Sequence, residues 1–154
     1  MLAVPTKFFV TSGKAVSRVS DLNAFDKALL RAGIGEQNLV SVSSILPPKI
    51  KQIQKRKIPM GAIVHCVLAQ MRGSEGETIS AGIACGFRDD GEGGYVAEGH
   101  GHMNRRAMKE ILEWKMDEMA KLRNVEIGPI KYRIEELSIP MDYYGVCIVA
   151  VVYL

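Results

Sequence analysis

Apolar runs bounded by turns mark most of this chain as strands, and two stretches repeat at the helical period instead. Lys7-Phe8-Phe9-Val10-Thr11 reads as a first strand, stopped by Ser12-Gly13. In Leu22 to Ala32, Phe25, Ala28, Leu29 and Ala32 fall at i, i+3, i+4 and i+7, the buried stripe of a helix. Asn23 is its expected cap, Asp26 lies in the first turn where negative charge is favoured, and Gly33 and Gly35 end it. A strand over 38–43 then runs into Ser43-Ser44-Ile45-Leu46-Pro47-Pro48. Proline lacks an N–H and restricts the residue before it, so the chain leaves its sheet there.

The basic run 49–57 reads as a solvated loop, because it lacks the interleaved aromatics of a nucleic-acid surface. Two long apolar runs, 61–71 and 78–88, flank the turn Gly73-Ser74-Glu75-Gly76 and read as a hairpin. After the turn 89–94 comes a strand, 95–99, carrying Glu98. Asn104 caps the one long helix, which ends near Arg123 and is striped by Met108, Ile111, Leu112, Met116 and Met119. A strand over 131–139 follows. The last, 143–153, is a continuous apolar run that implies burial on both faces. The sum is an α+β layered fold. Its apolar strands exceed what two helices can cover, so a second sheet or a subunit interface must take up the rest.

Composition narrows the class. With 154 residues and 47% hydrophobic content the chain suits one domain, 1–154, with a real core. A net charge of +3 gives no ground for a nucleic-acid partner. The N-terminus lacks the apolar core and cleavage site of a signal peptide, and no stretch has the length and apolarity to span a membrane. Cys66, Cys85 and Cys147 are far apart, odd in number and set in apolar runs, which predicts free buried thiols in a reducing cytoplasm. His100 and His102 stand two apart on a strand, but no carboxylate or cysteine lies at metal-like spacing, so no metal is expected. One of them lies near enough in sequence to tune Glu98. His65, inside a strand, is expected in the core or an interface.

The candidate chemistry lies at Ser43-Ser44. A serine is a poor nucleophile unless a base or a strained setting activates it. At the end of a strand, before a rigid turn, its hydroxyl can attack its own preceding carbonyl and exchange the peptide for an ester. Elimination and hydrolysis then cut the chain and leave a pyruvoyl group on the new N-terminus. Taken alone, the run is better read as a polar strand end and a tight turn.

A wider set of motifs changes that balance. Asn23-Ala24-Phe25-Asp26, Ala32-Gly33-Ile34-Gly35 and Ser43-Ser44-Ile45-Leu46-Pro47-Pro48 are followed in order by Ile58-Pro59-Met60-Gly61-Ala62, Gly76-Glu77-Thr78-Ile79-Ser80-Ala81 and the strand carrying Glu98. Together they resemble the pyruvoyl-dependent arginine decarboxylases over nearly the whole chain. The match is loosest before Thr11, in 49–57 and in 89–94.

The resemblance implies an αββα sandwich of mainly antiparallel sheets, assembled as a homotrimer with active sites between subunits. It implies self-cleavage between Ser43 and Ser44 into a β chain, 1–43, and an α chain, 44–154, with Ser44 becoming the covalent pyruvoyl cofactor. It implies the decarboxylation of L-arginine to agmatine, a polyamine precursor. Glu98 matches the family's proton donor, a carboxyl that must be protonated near neutral pH in an apolar site. Asp26 matches the carboxylate that receives the guanidinium through two parallel hydrogen bonds. Leu29 and Ile45 match apolar pocket residues, and Gly35 and Gln37 match backbone positions near the substrate. Asn38 matches the residue that polarises the scissile carbonyl. The residues alone leave two other readings open: a pyruvoyl decarboxylase of another amino acid, and a trimeric scaffold that never cleaves.

Overall fold

The computed structural model describes residues 1–154. The elements in chain order are β1 (Lys7–Ser17), α1 (Asp21–Ala32), β2 (Asn38–Ser41), β3 (Ile45–Leu46), β4 (Lys51–Gln52), β5 (Ile63–Ser74), β6 (Thr78–Phe87), β7 (Gly94–Gly101), α2 (Arg105–Arg123), β8 (Lys131–Ser138) and β9 (Tyr144–Tyr153). They form a five-stranded sheet of order β2-β5-β9-β1-β4, here sheet A, and a four-stranded sheet of order β3-β7-β6-β8, here sheet B. Pairing is antiparallel except for β1 with β4 and β2 with β5.

Three apolar clusters define the layers. Val67, Ala69, Val149 and Val151 of sheet A meet Ile79, Ile83 and Val96 of sheet B between the sheets. The helix α1 covers the other face of sheet A through Ala24, Ala28 and Ala32 against Val64, Cys66 and Ile148. On the far side α2 covers sheet B through Met108, Leu112 and Met116. The architecture is therefore an αββα sandwich. Strand β9 lies at the centre of sheet A, and its residues from Gly145 to Tyr153 are all buried, as its unbroken apolar run predicts.

Several expectations need correction. The first strand runs on to Ser17. Gly13 does not end it but admits α1, because a Cβ there would lie 2.3 Å from the Ala28 carbonyl oxygen. Small residues on both sides let helix and sheet approach closely. The cap of α1 is Ser20, whose hydroxyl accepts the Asn23 N–H at 3.0 Å, so Asn23 sits inside the helix. The buried stripe is Ala24, Ala28 and Ala32, with Phe25 and Leu29 half-buried at its edge.

Strands β5 and β6 are not a hairpin. The 73–76 turn carries the chain from sheet A to sheet B, and the two strands pack face to face. Both are apolar enough to bury two faces, so edge pairing was not the only solution open to them. Two short strands, β3 and β4, went unforeseen. Of these, β4 pairs Lys51 and Gln52 with Lys7 and Phe8 inside the predicted basic loop, leaving its own side chains exposed. The long helix starts as expected at Asn104, whose side chain accepts the Ala107 N–H at 2.9 Å.

Candidate active site

The Ser43–Ser44 bond lies where the chain leaves sheet A and enters sheet B. On one side the Val42 N–H donates to the Cys66 carbonyl at 2.9 Å, extending the pairing of β2 with β5. On the other the Val96 N–H donates to the Ser44 carbonyl at 2.9 Å, extending the pairing of β3 with β7. The peptide is thus gripped from both sheets, and the double proline turns the chain away beyond it. That turn packs against Gly93, at φ +104°, where a Cβ would lie 2.5 Å from the Leu46 carbonyl oxygen. Ser43 is exposed and Ser44 half-buried.

Glu98 follows Val96 by two residues on β7. Side chains alternate along a strand, so the two share a face. Val96 and Ile83, the partner of Glu98 across the sheet, both belong to the inter-sheet cluster, so Glu98 faces the inter-sheet side. It is exposed there, because sheet A does not extend over it. The apolar enclosure expected around it is not supplied by its own chain. The Lys115 ammonium donates to the Glu98 main-chain carbonyl at 2.7 Å, fixing this end of β7 to α2. Neither histidine of the nearby pair forms an ion pair or hydrogen bond with the Glu98 carboxylate: His102 pairs with Glu77, and His100 is exposed.

A second group of expected residues lies elsewhere. Asp26 is exposed on α1, on the outer face of sheet A, with Leu29 half-buried one turn on. Gly35 and Gln37 are half-buried in the turn after α1. Gln37 donates from its amide to the Ile58 carbonyl at 2.9 Å, and Asn38 donates to the Gly61 carbonyl at 3.0 Å. The Asn38 N–H also donates to Ala62, and Gly61 donates back to Glu36, so this turn is braced against 58–62. Four residues of extended strand, about 13 Å, separate Asn38 from Val42. The Asn38 amide is therefore not at its own chain's Ser43 carbonyl. The structure brings together Ser43, Ser44, Ile45 and the Glu98 strand, and separately Asp26, Leu29, Gly35, Gln37 and Asn38.

The flank of sheet A beside Ser43 is uncovered. Asn38 and Val40 of β2, Val42 just beyond it, and Ile63 and His65 of β5 face the inter-sheet side, but sheet B does not reach them. Val40 is 41% exposed, Val42 38% and Ile63 70%. His65 is exposed rather than part of the core. A cavity of about 640 Å³ opens here, lined by Val42, Ser43, Ile45, His65, Tyr153 and residues 3–6 among others. It contains no acidic side chain and none of Asp26, Gln37, Asn38 or Glu98.

Two features escaped the sequence reading: the Val96 N–H, because main-chain donors carry no residue signature, and Gly93, which reads only as part of a glycine-rich turn. All three cysteines are free and buried, as expected. No cluster of three or more His, Cys, Asp or Glu is arranged to hold a metal. No helix is long and apolar enough to cross a membrane.

The family model described as pyruvoyl-dependent arginine decarboxylase matches residues 7–154. Among curated relatives of that name, the protein of Methanothermobacter thermautotrophicus is 35% identical over 156 residues, covering 99% of this chain and 99% of its own length. That of Thermococcus kodakarensis is 33% identical over 137 residues, covering 88% of this chain and 87% of its own. That of Methanocaldococcus jannaschii is 37% identical over 120 residues, covering 77% and 70%. Among solved structures, a pyruvoyl-dependent histidine decarboxylase at pH 8 superposes with a TM-score of 0.53 at 14% identity, over 65% of this chain and 55% of that one. At that identity the likeness is one of fold.

Proposed function

The chain belongs to the pyruvoyl-dependent arginine decarboxylases, and from that premise we propose that it converts L-arginine to agmatine and carbon dioxide with a pyruvoyl group made from its own Ser44. The observation that carries the reading is the Ser43–Ser44 bond strung between two sheets, with each side held independently. The residues present fit a group formed there. Position 44 is a serine, its carbonyl already has a donor, and both flanks keep their partners without the bond between them.

In this reading the Ser44 hydroxyl attacks the Ser43 carbonyl carbon, the amide nitrogen departs, and an ester replaces the peptide. Loss of the residue-44 α-proton then expels Ser43 as a carboxylate. Water enters the resulting enamine and ammonia leaves, so the products are a chain 1–43 and a chain 44–154 that begins with a ketone. Asn38 polarises the Ser43 carbonyl during the attack.

The pyruvoyl group supplies an electron sink for the pair left on the substrate α-carbon when carbon dioxide departs. The Val96 N–H stabilises negative charge on the residue-44 carbonyl oxygen, to which it already donates. Glu98, on the same face of β7, holds the proton that returns to the α-carbon. Asp26 receives the guanidinium, Leu29 and Ile45 flank the apolar stem, and Gly35 and Gln37 border the substrate through their backbone.

One chain separates these two groups, so the reading joins them across a subunit boundary in a homotrimer. The uncovered apolar flank at Val40, Val42 and Ile63, directly beside Ser43, supports a neighbour in that place. A neighbour would also enclose Glu98. Three free buried thiols support a cytoplasmic setting.

The test is release of carbon dioxide from carboxyl-labelled amino acids by the purified protein. Release from arginine, with agmatine as the co-product, is expected. Release from lysine or histidine in its place would overturn the substrate assignment, and release from none would favour a scaffold.

A further inference from the structure

Strand β3 is two residues long and has one neighbour, β7. Successive carbonyls of an extended strand point to opposite sides. The Ser44 carbonyl points at β7 and accepts from Val96. The Ile45 carbonyl points away from β7, to an edge where sheet B has no further strand. Its donor comes from the other sheet: the Tyr153 hydroxyl, at 2.9 Å. Tyr153 is the last residue of β9, is 8% exposed, belongs to the inter-sheet core and lines the same cavity as Ser43 and Ile45. We infer that Tyr153 is a positioning residue for the self-cleaving bond and for the chain end that the cut leaves at residue 44. The inference rests on the self-cleavage proposed above.

Before the cut, the approach of the Ser44 hydroxyl to the Ser43 carbonyl depends on how the residues on either side are held. Val42 is fixed to sheet A through Cys66. Tyr153 also belongs to sheet A, so its bond to Ile45 fixes the far side of the scissile peptide to the same sheet. The offset between the two sheets is thereby pinned across the bond to be broken. After the cut, residue 44 begins a chain on a very short edge strand, and chain ends fray unless tied down. Val96 on one side and Tyr153 on the other hold successive carbonyls, which resists rotation of the new terminus about its own axis. Burial, with a smaller effect from nearby Cys85, pushes the Tyr153 phenol up to about 12, so it stays a neutral donor.

Tyr153→Phe keeps the ring and removes only the hydroxyl. Tyr95→Phe is the control: Tyr95 is the partner of Ile45 on β7, is buried, and loses a hydroxyl contact with Arg88 on the opposite face of sheet B. Precursors made in a cell-free reaction are followed by denaturing mass spectrometry, with melting temperatures measured on the same samples. Tyr153→Phe is expected to self-cleave about tenfold more slowly, which matches the net worth of about one hydrogen bond. Once cleaved, it should show a lower kcat at unchanged KM for arginine. Tyr95→Phe should cleave at the wild-type rate whatever its melting temperature. Wild-type cleavage by Tyr153→Phe, or equal slowing in both variants, would overturn the inference and leave the decarboxylase reading intact. A wild-type chain that never cleaves would overturn both.

Discussion

The main chain of Val96 donates to the carbonyl of Ser44, and Glu98 lies two residues further along the same strand, on the same face. One strand therefore presents both the donor at the residue-44 carbonyl and the carboxyl proposed to act beside it. Removing the acid while keeping its shape separates these roles. Glu98→Gln is expected to self-cleave normally and to lose about 10²–10⁴-fold in kcat, the usual range for one general acid. Carbon dioxide release after complete cleavage measures this, and near-normal turnover would remove Glu98 from the mechanism.

The separation of Asp26 from Ser44 within one chain leads to a mixing experiment. Asp26→Asn should cleave but bind arginine more weakly by about 3 kcal/mol, because the guanidinium loses the carboxylate that the neighbouring copy encloses with it. Ser44→Ala should neither cleave nor turn over. If sites are shared between neighbours, co-refolding equal amounts should restore roughly a quarter of the wild-type activity, since about that fraction of sites draws both intact residues from different copies. No recovery would place both residues in one chain's site.

Gly93 supports the turn that follows the Ser43–Ser44 bond, by conformation and by space. Gly93→Ala forces a side chain into a left-handed backbone at φ +104° and against the Leu46 carbonyl oxygen. A loss of about 2–3 kcal/mol in urea unfolding is expected, with slower cleavage. Gly91→Ala is the comparison. Its φ is +78° but nothing lies within 4 Å, so its smaller cost, about 1 kcal/mol, isolates the backbone effect from the clash. Equal losses would mean that the close approach of the 47–48 turn contributes nothing.

Burial pushes the Cys66 thiol up to about 11 and those of Cys85 and Cys147 up to about 12, from an ordinary value of 9.0. A raised folded pKa means that unfolded thiols ionise first as pH rises. The contribution of the buried thiols is therefore whole below pH 9 and is lost as pH climbs through 11 to 12. Urea midpoints should fall over that window, and a triple Cys→Ser variant should fall less. At pH 8 the native chain should resist iodoacetamide and the unfolded chain should take up three equivalents, one per cysteine. Rapid native labelling would contradict the burial.

The sequence was legible wherever one element's own pattern decided its place. The Asn104 cap and methionine stripe specify α2, and the unbroken apolar run of β9 specifies a central strand. It was not legible where tertiary partners decide. The glycines around 73–76 serve a hairpin and a sheet-to-sheet crossing equally well, so the separation of β5 from β6 was hidden. Strands β3 and β4 exist only through neighbours distant in sequence, and two residues carry no period. The candidate site divides in the same way. Ser43-Ser44 before Pro47-Pro48 is visible as a motif, but Asn38 and Asp26 do not meet it within one chain. The Tyr153 hydroxyl reads in sequence only as the end of a buried strand.

Whether this chain cuts itself between Ser43 and Ser44 is read from a denaturing mass spectrum of the purified protein. Two chains are expected, 1–43 ending in a free carboxylate and 44–154 beginning with a carbonyl-bearing, amine-free terminus. Ser44→Ala should give a single intact chain. A wild-type protein that stays whole after prolonged incubation, or a Ser44→Ala variant cut at the same bond, would contradict self-cleavage through Ser44.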